Sequence, residues 1–219
     1  MVFAFDVRQC QPAGMCNLYS FMRSQDEVRS IAKVMRDVVG NLAPLPGIFP
    51  DYPAPIVRTG FDGVRELAWA RWGMPSPPKF IKARDPGVTN IRNVVSPHWR
   101  RWLGVESRCL VPFTSFSENE ELPDGSKPPV WFALSEDRPL AFFAGIWVPD
   151  WEPVRKVKDG PVKADLFGFL TGPPTAEVGA VHPKAMPVIL TTAEECDPWM
   201  RAPAAEAMQL QRPLPDGSL

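Results

Sequence analysis

The chain has 219 residues, 45% of them hydrophobic, and a formal net charge of −1. That suits one folded domain with short appendages. It excludes a protein that coats nucleic acid by bulk positive charge, though not one with a local basic groove. The 27 prolines, against an average of roughly 5%, disfavour long helices and central strands, so short elements and ordered loops are expected.

The opening "MVFAFDVRQCQ" lacks the basic start and long apolar core of a secretion signal. No apolar run reaches the roughly 20 residues of a bilayer span. The four cysteines, Cys10, Cys16, Cys109 and Cys196, show neither CxxC spacing nor a regular framework. They read as free thiols of a reducing compartment, and the expected localisation is cytoplasmic. Cys16 differs from the others because Met15 precedes it. If Met15 is the functional initiator, its removal leaves a terminal cysteine with a free amine of pKa about 8 beside a thiol of pKa about 8.5. Such an aminothiol condenses with aldehydes to a five-membered thiazolidine, or attacks acyl carbons with its own amine as base. The bland alternative is a buried structural cysteine.

Helix signals follow. In "RSQDEVRSIAKVMRDVV", Ser24 and Glu27 fit a capping box, and Val28, Ile31, Met35 and Val38 recur at helical spacing as a core face. "PLPGIFPDYPAP" at 44–55 reads as a rigid loop. "VRTGFDGVRELAWARWGMP" at 57–75 reads as two strands around a Phe-Asp-Gly turn. Ser96 and Pro97 start a short helix carrying His98, Trp99, Arg101 and Trp102. Strands are expected at 108–112, 129–134, 140–148, 164–171 and 186–191. Thr192 and Glu195 cap a last short helix through Met200, and the tail "RPLPDGSL" reads as frayed. Three basic tracts, at 79–85, 98–102 and 155–158, read as solvated surface or as walls of a groove. The fold expected is α+β: a mixed, mostly antiparallel, barrel-like sheet with short peripheral helices.

Metal and phosphate motifs are missing. The two histidines, His98 and His182, make no HExxH, and no GxSxG or P-loop occurs, so no metal and no cofactor is expected. Cys109 lies in an apolar strand and reads as core. His182 precedes a strand, Glu118 follows one, and Asn90 and Arg92 sit in "TNIRN". Taken singly, each has an ordinary structural or solvated reading.

Taken in order, "MCNLYS", "RWGMPSP", "TNIRN", "RCLVPFTSFSE", "KPPVWFAL", "AFFAGIWVPD" and "FGFLTGPPTAEVGAVHPKAMPVIL" resemble the SOS-response-associated peptidase (SRAP) family from Met15 to about Met200. The resemblance implies a compact α+β domain acting on abasic sites in single-stranded DNA. Its terminal cysteine forms a thiazolidine with the ring-opened sugar aldehyde, and the family also carries an (auto)peptidase role. By position, Cys16 matches the nucleophile, Asn90 the asparagine that orients cysteine or sugar, and Glu118 and His182 the active-site glutamate and histidine. Arg92 matches a DNA-backbone arginine, while Trp72 and Gly73 match a loop shaping the DNA channel, with Trp72 a candidate for base stacking.

The chain departs from the pattern at several places. Asn17-Leu18-Tyr19 stands where Gly-Arg-Tyr is common, and Phe116-Ser117-Glu118-Asn119 replaces Phe-Tyr-Glu-Trp. Asn90-Ile91-Arg92-Asn93-Val94 lacks the usual glutamate. Residues 1–15 are expected to be absent from the mature protein, 16–203 to form the domain and 204–219 a tail. The expected partner is single-stranded DNA with an abasic site, bound by a monomer that contacts no membrane. A cysteine peptidase using Cys16 and His182 competes with this reading, as does a non-catalytic DNA-binding or phage-related structural protein.

Overall fold

The computed structural model describes residues 17–219. Cys16 and the segment before it lie outside the described residues, as does the expected start of the mature chain. The first strand, β1 (Leu18–Phe21), leads into α1 (Gln25–Ile31). Its start is the expected capping box: the Ser24 hydroxyl accepts from the Glu27 amide while the Glu27 carboxylate accepts from the Ser24 amide. The helix stops sooner than the apolar spacing indicates. Lys33 takes φ 52°, and Arg36–Asp37 form a short strand, β2, parallel to the later strand at Arg65–Trp72. The Met35 and Val38 amides donate to the Arg65 and Leu67 carbonyls at 2.9 and 3.0 Å. Strand pairing therefore claims the backbone of this stretch, and Met35 and Val38, expected in the core, are exposed.

The proline-rich stretch is also more regular than expected. It supplies β3 (Leu45–Ile48) and the start of β4 (Pro53–Thr59). Pro46 is tolerated because β3 is an edge strand. Pro53 and Pro55 are tolerated because only Val57 and Arg58 of β4 pair on the side away from β5 (Arg65–Trp72). The β4–β5 turn is the expected one, closed by the Gly60 amide on the Val64 carbonyl at 2.8 Å, with Gly63 at φ 80°. Next come β6 (Asn90–Ile91), α2 (Pro97–Arg100), β7 (Arg108–Phe113), β8 (Ser115–Asn119), β9 (Pro129–Phe132), β10 (Ala141–Trp151) and β11 (Ala164–Gly172). The chain finishes with α3 (Ala176–Val181), β12 (Met186–Pro187), β13 (Ile189–Leu190), α4 (Ala193–Arg201) and α5 (Ala204–Ala207).

The sheet runs β11-β10-β7-β4-β5, and β5 pairs again with β11, in parallel, through Arg71–Leu166 and Trp72–Phe167. Five strands thus close on themselves, which removes the exposed edges an open sheet would present. A second sheet, β3-β1-β8-β9, joins it at Thr114, where the chain turns from β7 into β8. The Thr114 amide donates to the Ser20 carbonyl at 2.8 Å, and the Ser20 and Ser115 hydroxyls lie 2.7 Å apart. The fold is the expected mixed α+β arrangement of a barrel-like sheet with short peripheral helices.

Aromatic rings fill the interior. Phe113 and Phe143 stack at 3.9 Å, Phe143 and Phe169 lie 4.5 Å apart, and Tyr19 meets Trp72 edge-on at 5.1 Å. Each such pair adds roughly 0.5–1.5 kcal/mol beyond the area it buries. Through Tyr19, β1 is pinned to the core.

The tail is packed. Leu214 is buried, Arg212 pairs with Glu195, and the Ala176 amide donates to Asp216 at 2.8 Å. The Gly217 and Leu219 amides both donate to the Glu177 carboxylate. The expected fraying is overturned because the tail supplies donors and a carboxylate to the first turn of α3.

Candidate active site

The strands bring most of the sequence-matched residues to one region. Leu18 pairs with Ser117 on β8, so Glu118 sits one position along the strand that holds the start of β1. Its carboxylate is buried, with 3% of the residue exposed. Cys16 is two residues before Leu18 in the sequence. The helix α3 packs on β8 and ends at His182, whose amide caps it on the Val178 carbonyl at 2.7 Å. Glu118 and His182 therefore belong to adjoining elements.

Asn90 comes from another strand. Strand β6 runs parallel to β11, with Asn90 opposite Phe169, and the Asn90 side-chain amide donates to the Thr89 hydroxyl at 2.9 Å. Arg92 follows, exposed, and its guanidinium donates to the Lys184 carbonyl. That bond ties the end of β6 to the turn after His182. Gln211 bridges the same seam, donating to the Arg92 and Thr171 carbonyls at 2.8 and 2.9 Å. Thr89, Lys184 and Gln211 support the site although sequence reading missed them. Thr89 acts through its hydroxyl and carbonyl, Lys184 through its carbonyl and charge, and Gln211 through a side-chain amide that reaches two carbonyls, and such roles leave no motif.

His182 is partly buried, and its Nε2 has no hydrogen-bond partner among the described residues. Burial, and then the charge of Lys184, hold its imidazole below the usual value, so the ring is neutral near pH 7. A neutral imidazole can accept a proton or orient a hydroxyl. The other described thiols are poor nucleophiles. Burial pushes Cys109 far up, and burial with nearby carboxylates pushes Cys196 up to about 12.

Trp72 is not a stacking platform. It is 0% exposed, stacked on Phe169 at 5.2 Å, with its indole N–H donating to the Thr89 carbonyl at 3.2 Å. It supports the strand leading to Asn90 from beneath. Gly73 is buried at φ 145°, with its amide on the Phe167 carbonyl at 2.7 Å and its own carbonyl accepting from Arg155. That arginine belongs to a tract expected to lie at the surface or along a groove. It is instead 7% exposed, with Nε 3.4 Å from Asp51 and Nη1 3.4 Å from Asp85. No signal joins positions 51, 85 and 155 in the sequence. Around it the chain comes close: a Cβ on Gly87, at φ 78°, would fall 2.1 Å from Arg155 Nη1. The neighbouring Lys156 and Lys158, and the tract 79–84, are exposed.

No group of three metal-ligating side chains occurs among the described residues. None of their helices is long and apolar enough to cross a membrane.

Several solved proteins share this fold. One from Bordetella bronchiseptica is 20% identical, with TM-score 0.66, covering 91% of this chain and 95% of its own. A phage-related protein of the same organism is 20% identical, with TM-score 0.64 over 90% and 88%. A protein of Bacteroides thetaiotaomicron is 21% identical, with TM-score 0.69 over 91% and 88%. At these identities the likeness speaks for the fold alone. No curated protein matches the chain. The model of the SOS response associated peptidase (SRAP) family matches residues 15–219, and the chain belongs to that family.

Proposed function

We propose that the protein shields abasic sites in single-stranded DNA by forming a thiazolidine between Cys16, once it is the terminal residue, and the ring-opened deoxyribose. The observation that carries this reading is the convergence of β1, two residues past Cys16, with the buried carboxylate of Glu118 and the helix end bearing His182. Family membership supports a role at abasic sites in general terms.

In the proposed chemistry the Cys16 amine adds to the C1′ aldehyde, and loss of one water gives the imine. The thiolate then adds to C1′, and the ring nitrogen takes the proton. Glu118, buried and acceptor-rich, relays protons during ring opening and dehydration. Neutral His182 orients or protonates the sugar oxygen as it becomes a hydroxyl, and Asn90 positions the cysteine or the sugar. A missing base offers no edge to read, so recognition rests on shape and phosphate contacts, Arg92 among them.

The test incubates a short single strand containing one abasic site with the chain beginning at Cys16, followed by denaturing electrophoresis and intact mass. The expected product is a one-to-one adduct of protein plus DNA less one water, formed without reductant and absent with Cys16→Ala. An adduct seen only after borohydride trapping indicates a transient imine and refutes the ring. Cleavage of added peptides without any adduct moves the protein to the peptidase reading.

A further inference from the structure

At the turn end of the β4–β5 hairpin lies a cavity of about 610 Å³, within the range of ligand-binding pockets. It is remote from the region just described. Arg65, on its wall, is seven residues along β5 from Trp72, about 23 Å at strand rise.

Its walls carry two kinds of surface. Met35 and Phe61 form an apolar rim that is 83% and 90% exposed, with Val105 at 44%. Phe61 occupies a hairpin turn, a place where polar residues are the rule, and a rim of this kind marks a contact surface. Trp147 and Met200 line the interior. The indole N–H of Trp147 has no hydrogen-bond partner among the described residues, while the Arg58 guanidinium lies 4.3 Å from its ring.

The second kind of surface is cationic. Lys33, Arg65 and Arg201 all line the cavity and all converge on one carboxylate, Asp197, at 3.3, 2.9 and 4.0 Å. Three cations thus share one anion. Glu106 is the acidic side chain lining the cavity, and Asp62 at the turn is engaged by Arg36 at 2.7 Å. Of the three cations, Lys33 and Arg201 are more than half exposed and free to turn toward a newcomer.

We propose that this cavity docks an acidic peptide segment of a partner protein, which buries an apolar side chain among Phe61, Met35 and Val105 and sets carboxylates against Lys33 and Arg201. A small ligand inside the cavity would leave the exposed rim wet, whereas a peptide covers both. Bare phosphodiester backbone would match the cations but not the apolar rim. The inference is independent of the chemistry proposed for Cys16, since no residue is shared.

The experiment uses the full chain labelled with ¹³C at the methionine methyls. It is titrated with a synthetic nonapeptide holding a central Phe-Leu pair flanked by aspartates and glutamates. The Met35 and Met200 methyl signals are expected to shift saturably. Phe61→Ser and Arg201→Glu, both at exposed positions, should each weaken binding at least tenfold, while the same substitutions in the chain beginning at Cys16 leave adduct formation on abasic DNA unchanged. Exchanging the Phe-Leu pair for serines, or the acids for amides, should weaken it similarly. Unmoved methyl signals at millimolar peptide overturn the proposal. So do equal binding of the control peptides and the same shifts on adding an undamaged oligonucleotide.

Discussion

Replacing Arg155 by methionine keeps the apolar stem and removes the charge from a site that is 7% exposed. The guanidinium bonds to the carbonyls of Asp85, at 3.1 Å, and Gly73, and lies 3.4 Å from the Asp51 and Asp85 carboxylates. Two lost hydrogen bonds cost about 1 kcal/mol each. The larger cost is Asp85, itself buried, whose carboxylate keeps the Gly87 amide at 2.9 Å but loses its counter-ion. Breaking one side of a buried pair costs about 3–5 kcal/mol in all. With a urea m-value of about 2 kcal/mol/M, the unfolding midpoint should fall by roughly 2 M. The Met74 and Val88 amides, each 2.9 Å from the other's carbonyl, should exchange hydrogen faster. Adding Asp85→Asn should recover part of the loss, because no charge is then stranded. A midpoint shift below about 0.5 M, near 1 kcal/mol, would refute the view that this arginine clamps the loop behind Trp72.

Glu118→Gln should slow adduct formation on abasic single strands while leaving binding within about twofold, compared by rate and by fluorescence anisotropy; equal losses in both would show a binding role instead. Arg92→Ala should weaken binding and flatten its salt dependence by about one phosphate contact, read from affinities across a salt series. His182 is held below the usual imidazole value by burial and by Lys184. Its contribution to stability is therefore complete above about pH 6.5 and lost as pH falls from there toward the folded pKa. Its NMR titration midpoint should lie below that of a free imidazole, and His182→Gln should flatten this part of the stability profile. Deleting residues 212–219 removes the burial of Leu214 and the contacts to Glu177 and Glu195. It should cost about 2–4 kcal/mol, counting roughly 1.5–3 for the leucine, and an unchanged melting curve would restore the frayed tail.

Local chemistry made much of the fold legible. The Ser24–Glu27 box, the Asp-Gly hairpin and the β-rich runs around Leu110, Phe143 and Phe169 each carry their signal within a few residues. The failures share a cause: a distant partner decided the outcome. Met35 and Val38 repeat at helical spacing, yet β5 captures their backbone. Pro46 and Pro53 look like loop residues, yet a one-sided strand accepts them. Arg155 reads as an exposed cation, yet Asp51 and Asp85 bury it. At the site, Glu118, Asn90 and His182 carried weak individual signals, and only their order along the chain singled them out. Trp72 was misplaced because composition does not say which face of a strand an indole occupies.

The pairing of β1 with β8 has a consequence for biosynthesis. Ser20 and Ser115 bond across 95 positions, so at 5–20 residues per second the ribosome makes β8 about 5–20 s after its partner. During that interval β3, nearby in sequence, is the one of its two partners among the described residues that β1 can pair with. An enzyme that trimmed the chain to Cys16 during synthesis would meet a nascent end before Glu118 and His182 exist. On the reading proposed for that cysteine, an aminothiol exposed that early would lack its pocket and be open to any free aldehyde in the cell. The speed with which the barrel closes would then set what fraction of molecules reaches DNA with an unspent nucleophile.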